Sequence, residues 1–323
     1  MNSCVIIGAG LSGLIAARTL QNAGITVTVL EREQKVGGRM RTDRVQNGVF
    51  DHGAQFFTVR SERFEEIAQT WLSAGVAQEW TRGFADATGE QHEDGHPRYK
   101  GTRGMTAVAE YLAQDLDIRT GLEVKELREN EQSWDIVAGG SNYAADALVL
   151  TAPAPAALAL VDSNGISLPS KAREALQSIS YQPCIAVMAL LDGPGEVPEP
   201  GGVQVGGDPL FWVADNYQKG ISEVPAVTIH AGPEWSREHA HSDDAKVSDL
   251  LLREAKDYLG TSVKATAVYR WQYSMPASPY EEQFVYAEGP PPLIFCGDAY
   301  AGPKVEGATL SGLAAAEKLL EAR

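Results

Sequence analysis

The sequence predicts an α/β protein in two parts, one built on a parallel sheet and the other an α+β domain of mixed sheet plus helices. Three observations predict it. A short apolar strand at residues 4–7 runs into Gly8-Ala9-Gly10-Leu11-Ser12-Gly13, a helix, and a second strand at residues 25–30 that ends in Glu31. The middle of the chain alternates short strand-like runs with Pro- and Gly-rich breaks. The end returns to an apolar strand at residues 293–296 and a closing helix, so the first part is completed by the C-terminus.

The first stretch is a dinucleotide-binding fingerprint in its full context, which makes the first domain Rossmann-like. Gly8 allows the tight turn out of the strand, Gly10 lets a pyrophosphate approach the backbone, and Gly13 lets the helix pack close to the sheet. The free N–H groups around Leu11 and Ser12 face the phosphates. Glu31 lies eighteen residues past Gly13 (31 − 13), where a carboxylate can accept from a ribose hydroxyl; Arg32 follows it. A glycine-rich turn without a ligand would leave the three glycines unexplained.

Composition narrows the class. With 323 residues, 44% apolar and 22% charged, the chain can bury a large core and reads as an ordinary globular enzyme. Apolar runs fall short of the roughly 18 residues that span a bilayer, and the first strand begins too early for a signal peptide. A net charge of −16 argues against a nucleic-acid or anionic-membrane partner. The three cysteines, Cys4, Cys184 and Cys296, sit in apolar strand-like runs without a Cys-x-x-Cys. They read as buried free thiols of a reducing, cytoplasmic protein.

In chain order, Ser61 caps a helix with Glu62, Glu65 and Glu66 in its first turns and an apolar stripe at Phe64, Ile67, Ala68, Trp71 and Leu72. A polar stretch at residues 82–103 contains His92-Glu93-Asp94-Gly95-His96, the letters of a zinc signature that works only on a helix. Asp94-Gly95 and Pro97 break a helix, so the stretch reads as a solvated loop or hairpin with no metal. A helix opens at Gly104-Met105-Thr106. The strand pattern resumes at Ile118, and Glu123-Val124 with the alternating Trp134 and Ile136 suggest a small antiparallel meander that returns to a main-sheet strand at residues 147–150. Beyond residue 168 come a helix carrying Ala172, Leu176 and Ile179, then strands at 184–191, 210–214, 226–231 and 265–273. One amphipathic helix spans residues 243–259.

Further motifs bracket the chain: Gly37-Gly38-Arg39-Met40-Arg41-Thr42, Asp51-His52-Gly53-Ala54-Gln55-Phe56-Phe57, Cys296-Gly297-Asp298, a turn at Val305-Glu306-Gly307-Ala308, and Ser311-Gly312 opening the last helix. A second glycine pair and an arginine soon after the acid resemble the flavoprotein amine oxidase superfamily. The resemblance implies an FAD-binding domain of residues 1–58, 100–155 and 288–323, and a substrate domain of residues 59–99 and 156–287. It implies non-covalent FAD, because Cys296 lies within a strand. The phosphates sit on residues 10–13 with Gly38 and Arg39 nearby, and Gln55 and Phe56 join the site. Val124 faces the adenine, and Asp298, Val305, Glu306 and Ala308 lie against the ribityl chain and flavin ring.

Three looser segments resemble the renalases and their bacterial relatives within that superfamily: Phe211-Trp212-Val213-Ala214-Asp215-Asn216, His230-Ala231-Gly232-Pro233-Glu234-Trp235-Ser236, and Arg270-Trp271-Gln272-Tyr273-Ser274. This implies oxidation of 2- or 6-dihydro isomers of NAD(P)H to NAD(P)+, with O2 giving hydrogen peroxide. Loss of hydride aromatises the ring, so no enzyme acid or base is assigned; a flat slot suffices to orient it. Slot candidates are Trp212, Asn216, His230, Trp271 and Tyr273. For Trp212 and Trp271 a strand core, and for His230 a satisfied core histidine, stay open. Two other functions stay open: an FAD-dependent amine oxidase or desaturase, and a non-catalytic flavin-binding redox sensor.

Overall fold

The computed structural model describes residues 1–300 and 302–321. The chain runs β1 (Ser3–Ile7), α1 (Leu11–Asn22), β2 (Thr26–Leu30), β3 (Thr42–Val45), β4 (Gly48–Asp51), α2 (Glu62–Ser73), β5 (Ala77–Asp86), β6 (Gln91–Gly101), α3 (Thr106–Ala113), β7 (Asp117–Arg119), β8 (Val124–Glu129), β9 (Trp134–Ala138), β10 (Ser141–Ala145) and β11 (Ala147–Leu150). It continues α4 (Ala154–Ser163), α5 (Ser170–Ser178), β12 (Ser180–Leu191), β13 (Gly202–Gln204), β14 (Leu210–Asp215), β15 (Ala226–Ala231), α6 (Pro233–Glu238), α7 (Asp244–Glu254), α8 (Lys256–Leu259), β16 (Val263–Ser278), β17 (Val285–Ala287), β18 (Leu293–Phe295) and α9 (Lys304–Glu321).

Two sheets carry the architecture. The first has the order β17-β18-β11-β1-β2-β7 and is parallel except where β17 pairs with β18. Its central strand is buried on both faces, as a parallel sheet covered by helices requires. Cys4 and Ile6 join a core with α1, α3 and α9, while Val5 joins one with β9, α4 and α5. The second sheet has the order β16-β12-β15-β14-β13-β5-β6, antiparallel except for β13 with β5. The expected meander is β8–β9–β10, and Ser61 Oγ caps α2 by accepting from the Phe64 N–H at 3.3 Å.

Three expectations need correction. Ser311-Gly312 lies inside α9, whose first turn is the expected Val305–Ala308 turn. Gly312 is small for packing, since a Cβ there would strike the Ser12 backbone of α1. The single helix at residues 243–259 breaks at Ala255 into α7 and α8. Residues 154–179 and 285–287 fall largely in the expected substrate domain, yet β17 is the edge strand of the first sheet and α4 and α5 pack on it: Ala172, Leu176, Ile179 and Val285 share a core with Leu148, Leu150 and Phe295. The apolar faces of α4 and α5 cover the side of that sheet opposite α1. The hairpin reading of residues 92–96 stands: they are in the strand β6, paired antiparallel with β5, where His92 and His96 are both exposed and share no helical face.

Candidate functional site

At the first sheet, β1 leads into a turn shaped for a phosphate. Gly8 has φ +110°, a conformation costly for other residues, and a Cβ on Gly10 would meet nothing within 4 Å. Helix α1 starts directly after Gly10 with no side-chain cap, leaving the N–H groups of Leu11, Ser12 and Gly13 at its open end. The Glu31 carboxylate is oriented against this turn, accepting from the N–H of Ala9 at 2.7 Å and of Glu33 at 2.9 Å. Gly37 donates to Ala9 O at 2.9 Å, so the second glycine pair abuts the first. Arg32 is exposed beside Glu33, and Val124 opens β8 two residues after Leu122 donates to Glu31 O at 2.8 Å.

Arg39 ties distant segments together. Its guanidinium grips Asp298 in a bidentate pair at 2.7 and 2.6 Å and also donates to the carbonyls of Tyr273 and Ser274, both at 3.3 Å. The resemblance implied phosphate for Arg39 and ribityl or flavin contact for Asp298; here the two pair with each other, as planar charge pairing favours, with donors and lone pairs to spare on both. Glu306 is also committed elsewhere: its carboxylate accepts from the N–H groups of Arg60 and Ser61, both at 2.9 Å, fixing the approach to α2. Val305 and Ala308 are buried in the same turn of α9, and Ser12 Oγ donates to Ala308 O at 2.8 Å.

The segment after β4 crosses to the second sheet. Asp51, fully buried, pairs with the equally buried Lys219 at 2.7 Å. Its other oxygen accepts from Thr42 Oγ1 at 2.5 Å and from the Met105 N–H at 2.8 Å. Burial pushes the Lys219 ammonium below its ordinary range, against the pull of Asp51. Lys100 donates to Lys219 O, and burial, with Lys219 nearby, pushes its own amine down to about 8. Asn216 completes the knot: its amide donates to Thr228 Oγ1 at 2.9 Å and Ala226 O at 3.2 Å, and accepts from the Asp51 N–H at 3.4 Å. Asn216 therefore holds β4 to the second sheet and has no polar group left for a substrate.

This knot presents His52. Its ring is fully buried, stacks on Trp271 with centroids 5.2 Å apart, and meets Asp43 Oδ2 through Nε2 at 3.1 Å. The His52 carbonyl accepts twice: from Trp271 Nε1 at 2.8 Å and from His230 Nε2 at 3.1 Å. Two slot candidates are thus brought together on one oxygen. Trp212 is opposite His230 across β14–β15 but is buried in an aromatic box with Phe56, Phe84 and Trp80. It is core, and Phe56 shares that core. Tyr273 packs edge-on to Tyr181 at 5.5 Å, beside the carbonyl that receives Arg39. Gln55 donates to Asp51 O at 2.6 Å, leaving its Oε1 buried without a partner.

His52, Asp51 and Lys219 went unassigned at the sequence level. His52 and Asp51 lie in a quoted motif, but their side chains carry no periodic signal; Lys219 is a lone lysine in a loop. The residues present fit FAD: an open cradle at Gly10, a poised carboxylate at Glu31 and the orphaned Gln55 Oε1. Cys296 is buried and its thiol is pushed up to about 12 by burial, so it offers no thiolate for a covalent flavin link.

A glycine-turn Rossmann-like domain joined to a mixed-sheet domain, with residues that fit FAD, marks a flavin-dependent oxidoreductase. The flavin containing amine oxidoreductase family matches residues 62–320, and an NAD(P)-binding Rossmann-like domain matches residues 6–71. The chain belongs to that amine oxidoreductase family, and its cofactor is non-covalent FAD. Among curated relatives, renalase from Mus musculus is 22% identical over 335 residues, covering 97% of each chain. L-amino acid dehydrogenase from Synechocystis sp. is 42% identical over 62 residues, 19% of this chain and 13% of that protein. The solved structure of putrescine oxidase bound to putrescine superposes with a TM-score of 0.72 at 16% identity, covering 100% of this chain and 99% of that one, a likeness of fold. Among the described residues, no helix is long and apolar enough to cross a membrane.

Proposed function

We propose that this oxidoreductase takes hydride from 2- or 6-dihydro isomers of NAD(P)H. The observation that carries this reading is the shared anchoring of Trp271 and His230 on the His52 carbonyl, which sets a flat indole near an imidazole where the segment after β4 meets the second sheet. A dihydropyridine becomes aromatic when it loses hydride, so the site needs orientation and no general base. FAD, when bound, supplies the two-electron acceptor and the route to dioxygen, with the balance NAD(P)H + H+ + O2 → NAD(P)+ + H2O2. The chain's own residues hold and shield the ring: Trp271 offers the face, and His52 and Gly53 fix its position. The likeness to mouse renalase along the whole chain supports the same reading.

The test is anaerobic. Purified yellow protein is mixed first with borohydride-reduced NAD+, which contains the dihydro isomers, and then with a panel of amines. Rapid bleaching by the nicotinamide mixture, with slow bleaching by amines, is expected. Fast bleaching by an amine and none by any dihydronicotinamide would assign the site to amine oxidation instead.

A further inference from the structure

We propose that His230 Nδ1 is the acceptor for the substrate carboxamide N–H, and so the group that selects amide-bearing dihydropyridines over the corresponding carboxylic acids. The inference rests on the dihydronicotinamide reading and names the residue that recognises the ring substituent. The argument begins with the tautomer. Nε2 lies 3.1 Å from the His52 carbonyl oxygen, which can only accept, so Nε2 carries the hydrogen and Nδ1 keeps its lone pair. The same oxygen accepts from Trp271 Nε1 at 2.8 Å, so both of its lone pairs are used and both rings are held.

Nδ1 has no hydrogen-bond partner among the described residues. The ring stays partly accessible although its strand neighbours Ile229 and Ala231 are 0% and 2% exposed, so it borders open space instead of the core. Desolvation holds the imidazole down at about 4 even though the bond to the His52 carbonyl pulls the other way, so the acceptor stays neutral at pH 7. A neutral acceptor held on the same oxygen as the Trp271 indole edge suits a carboxamide, which offers an N–H in the plane of its ring. A carboxylate would point negative oxygens at the same lone pair. Losing one such contact corresponds to roughly tenfold to a hundredfold in affinity.

The test uses the FAD-loaded protein with NAD+ and with nicotinic acid adenine dinucleotide, the acid that differs only at the ring substituent. Affinities are read from the perturbation of the flavin spectrum, and the 15N shifts of the histidine rings are followed in labelled protein. NAD+ is expected to bind at least about tenfold more tightly. Its binding should move the Nδ1 resonance of His230 and leave Nε2 protonated, and His230→Leu should bring the two affinities together. Equal affinities in the parent, an unmoved Nδ1 shift, or a preference that survives in His230→Leu would overturn the proposal. If the protein bleaches with dihydronicotinamides yet binds both dinucleotides equally, only the role of His230 falls. If it binds neither dinucleotide and no dihydro isomer bleaches it, the substrate reading falls with it.

Discussion

Replacing Lys219 by Met should be among the most damaging single changes in this chain. The methionine keeps an apolar stem of similar length, so the effect is electrostatic. Lys219 and Asp51 are both 0% exposed and 2.7 Å apart, and the Thr42 hydroxyl and Met105 N–H bind the other carboxylate oxygen. Removing the ammonium leaves a carboxylate in the protein interior with two neutral donors and, as nearby positive charge among the described residues, only the Lys100 amine, which donates to Lys219 O instead of to the carboxylate. Breaking one side of a buried pair costs about 3–5 kcal/mol. Asp51→Asn alone strands the ammonium over the Trp80 ring, 4.8 Å from its centroid, and belongs in the same range. The double variant Asp51→Asn/Lys219→Met removes both charges and keeps an acceptor for Met105. It should recover most of the loss, giving a coupling of about 2 kcal/mol or more. Urea unfolding followed by tryptophan fluorescence, with and without FAD, measures all four proteins. A single variant within about 1 kcal/mol of the parent, or additive losses in the double variant, would refute the reasoning.

Other outcomes are expected at separate sites. Glu31→Gln should weaken FAD retention by roughly 1–3 kcal/mol, measured by equilibrium dialysis, because a charged acceptor is lost; unchanged retention would remove Glu31 from the ribose. His92→Ala with His96→Ala should leave activity unaltered and stability within about 0.5 kcal/mol. Although His92, Asp86 and Glu90 lie close enough to hold an ion, they sit at an exposed hairpin turn; loss of activity on chelation, restored by zinc, would contradict this. The folded protein holds His230 down at about 4, while the unfolded group titrates near 6.5. The unfolded state therefore binds the extra proton in that window, and stability falls as pH drops from about 6.5 to 4. His230→Leu should flatten that acid limb in urea titrations; an identical limb would place the titration elsewhere.

The parts legible in the sequence were those whose cause is local. The glycine turn, the Ser61 cap, the strand at residues 226–231 and the meander each follow from a few adjacent residues, and each stands where expected. What escaped depends on distant partners. Arg39 meets Asp298 across 259 residues of chain, and nothing near either says that they pair. The stripe of α5 shows that it is amphipathic but not which sheet it covers. Asn216 and Trp212 were singled out as slot residues; one proves to be spent on the Asp51 knot and the other on an aromatic core. Trp271 and His230 are instead gathered by the His52 carbonyl, a backbone atom that side-chain patterns cannot reveal.

The central claim is tested most directly by the anaerobic flavin reduction rates with purified 2-, 6- and 4-dihydronicotinamide dinucleotides. With the ring held against Trp271, C2 or C6 takes the reacting position and C4 is displaced, and a displacement of about 1 Å costs on the order of a hundredfold. The account predicts rapid reduction by the 2- or 6-dihydro isomer and reduction by ordinary NADH slower by about that factor. Equal rates with all three isomers would contradict it.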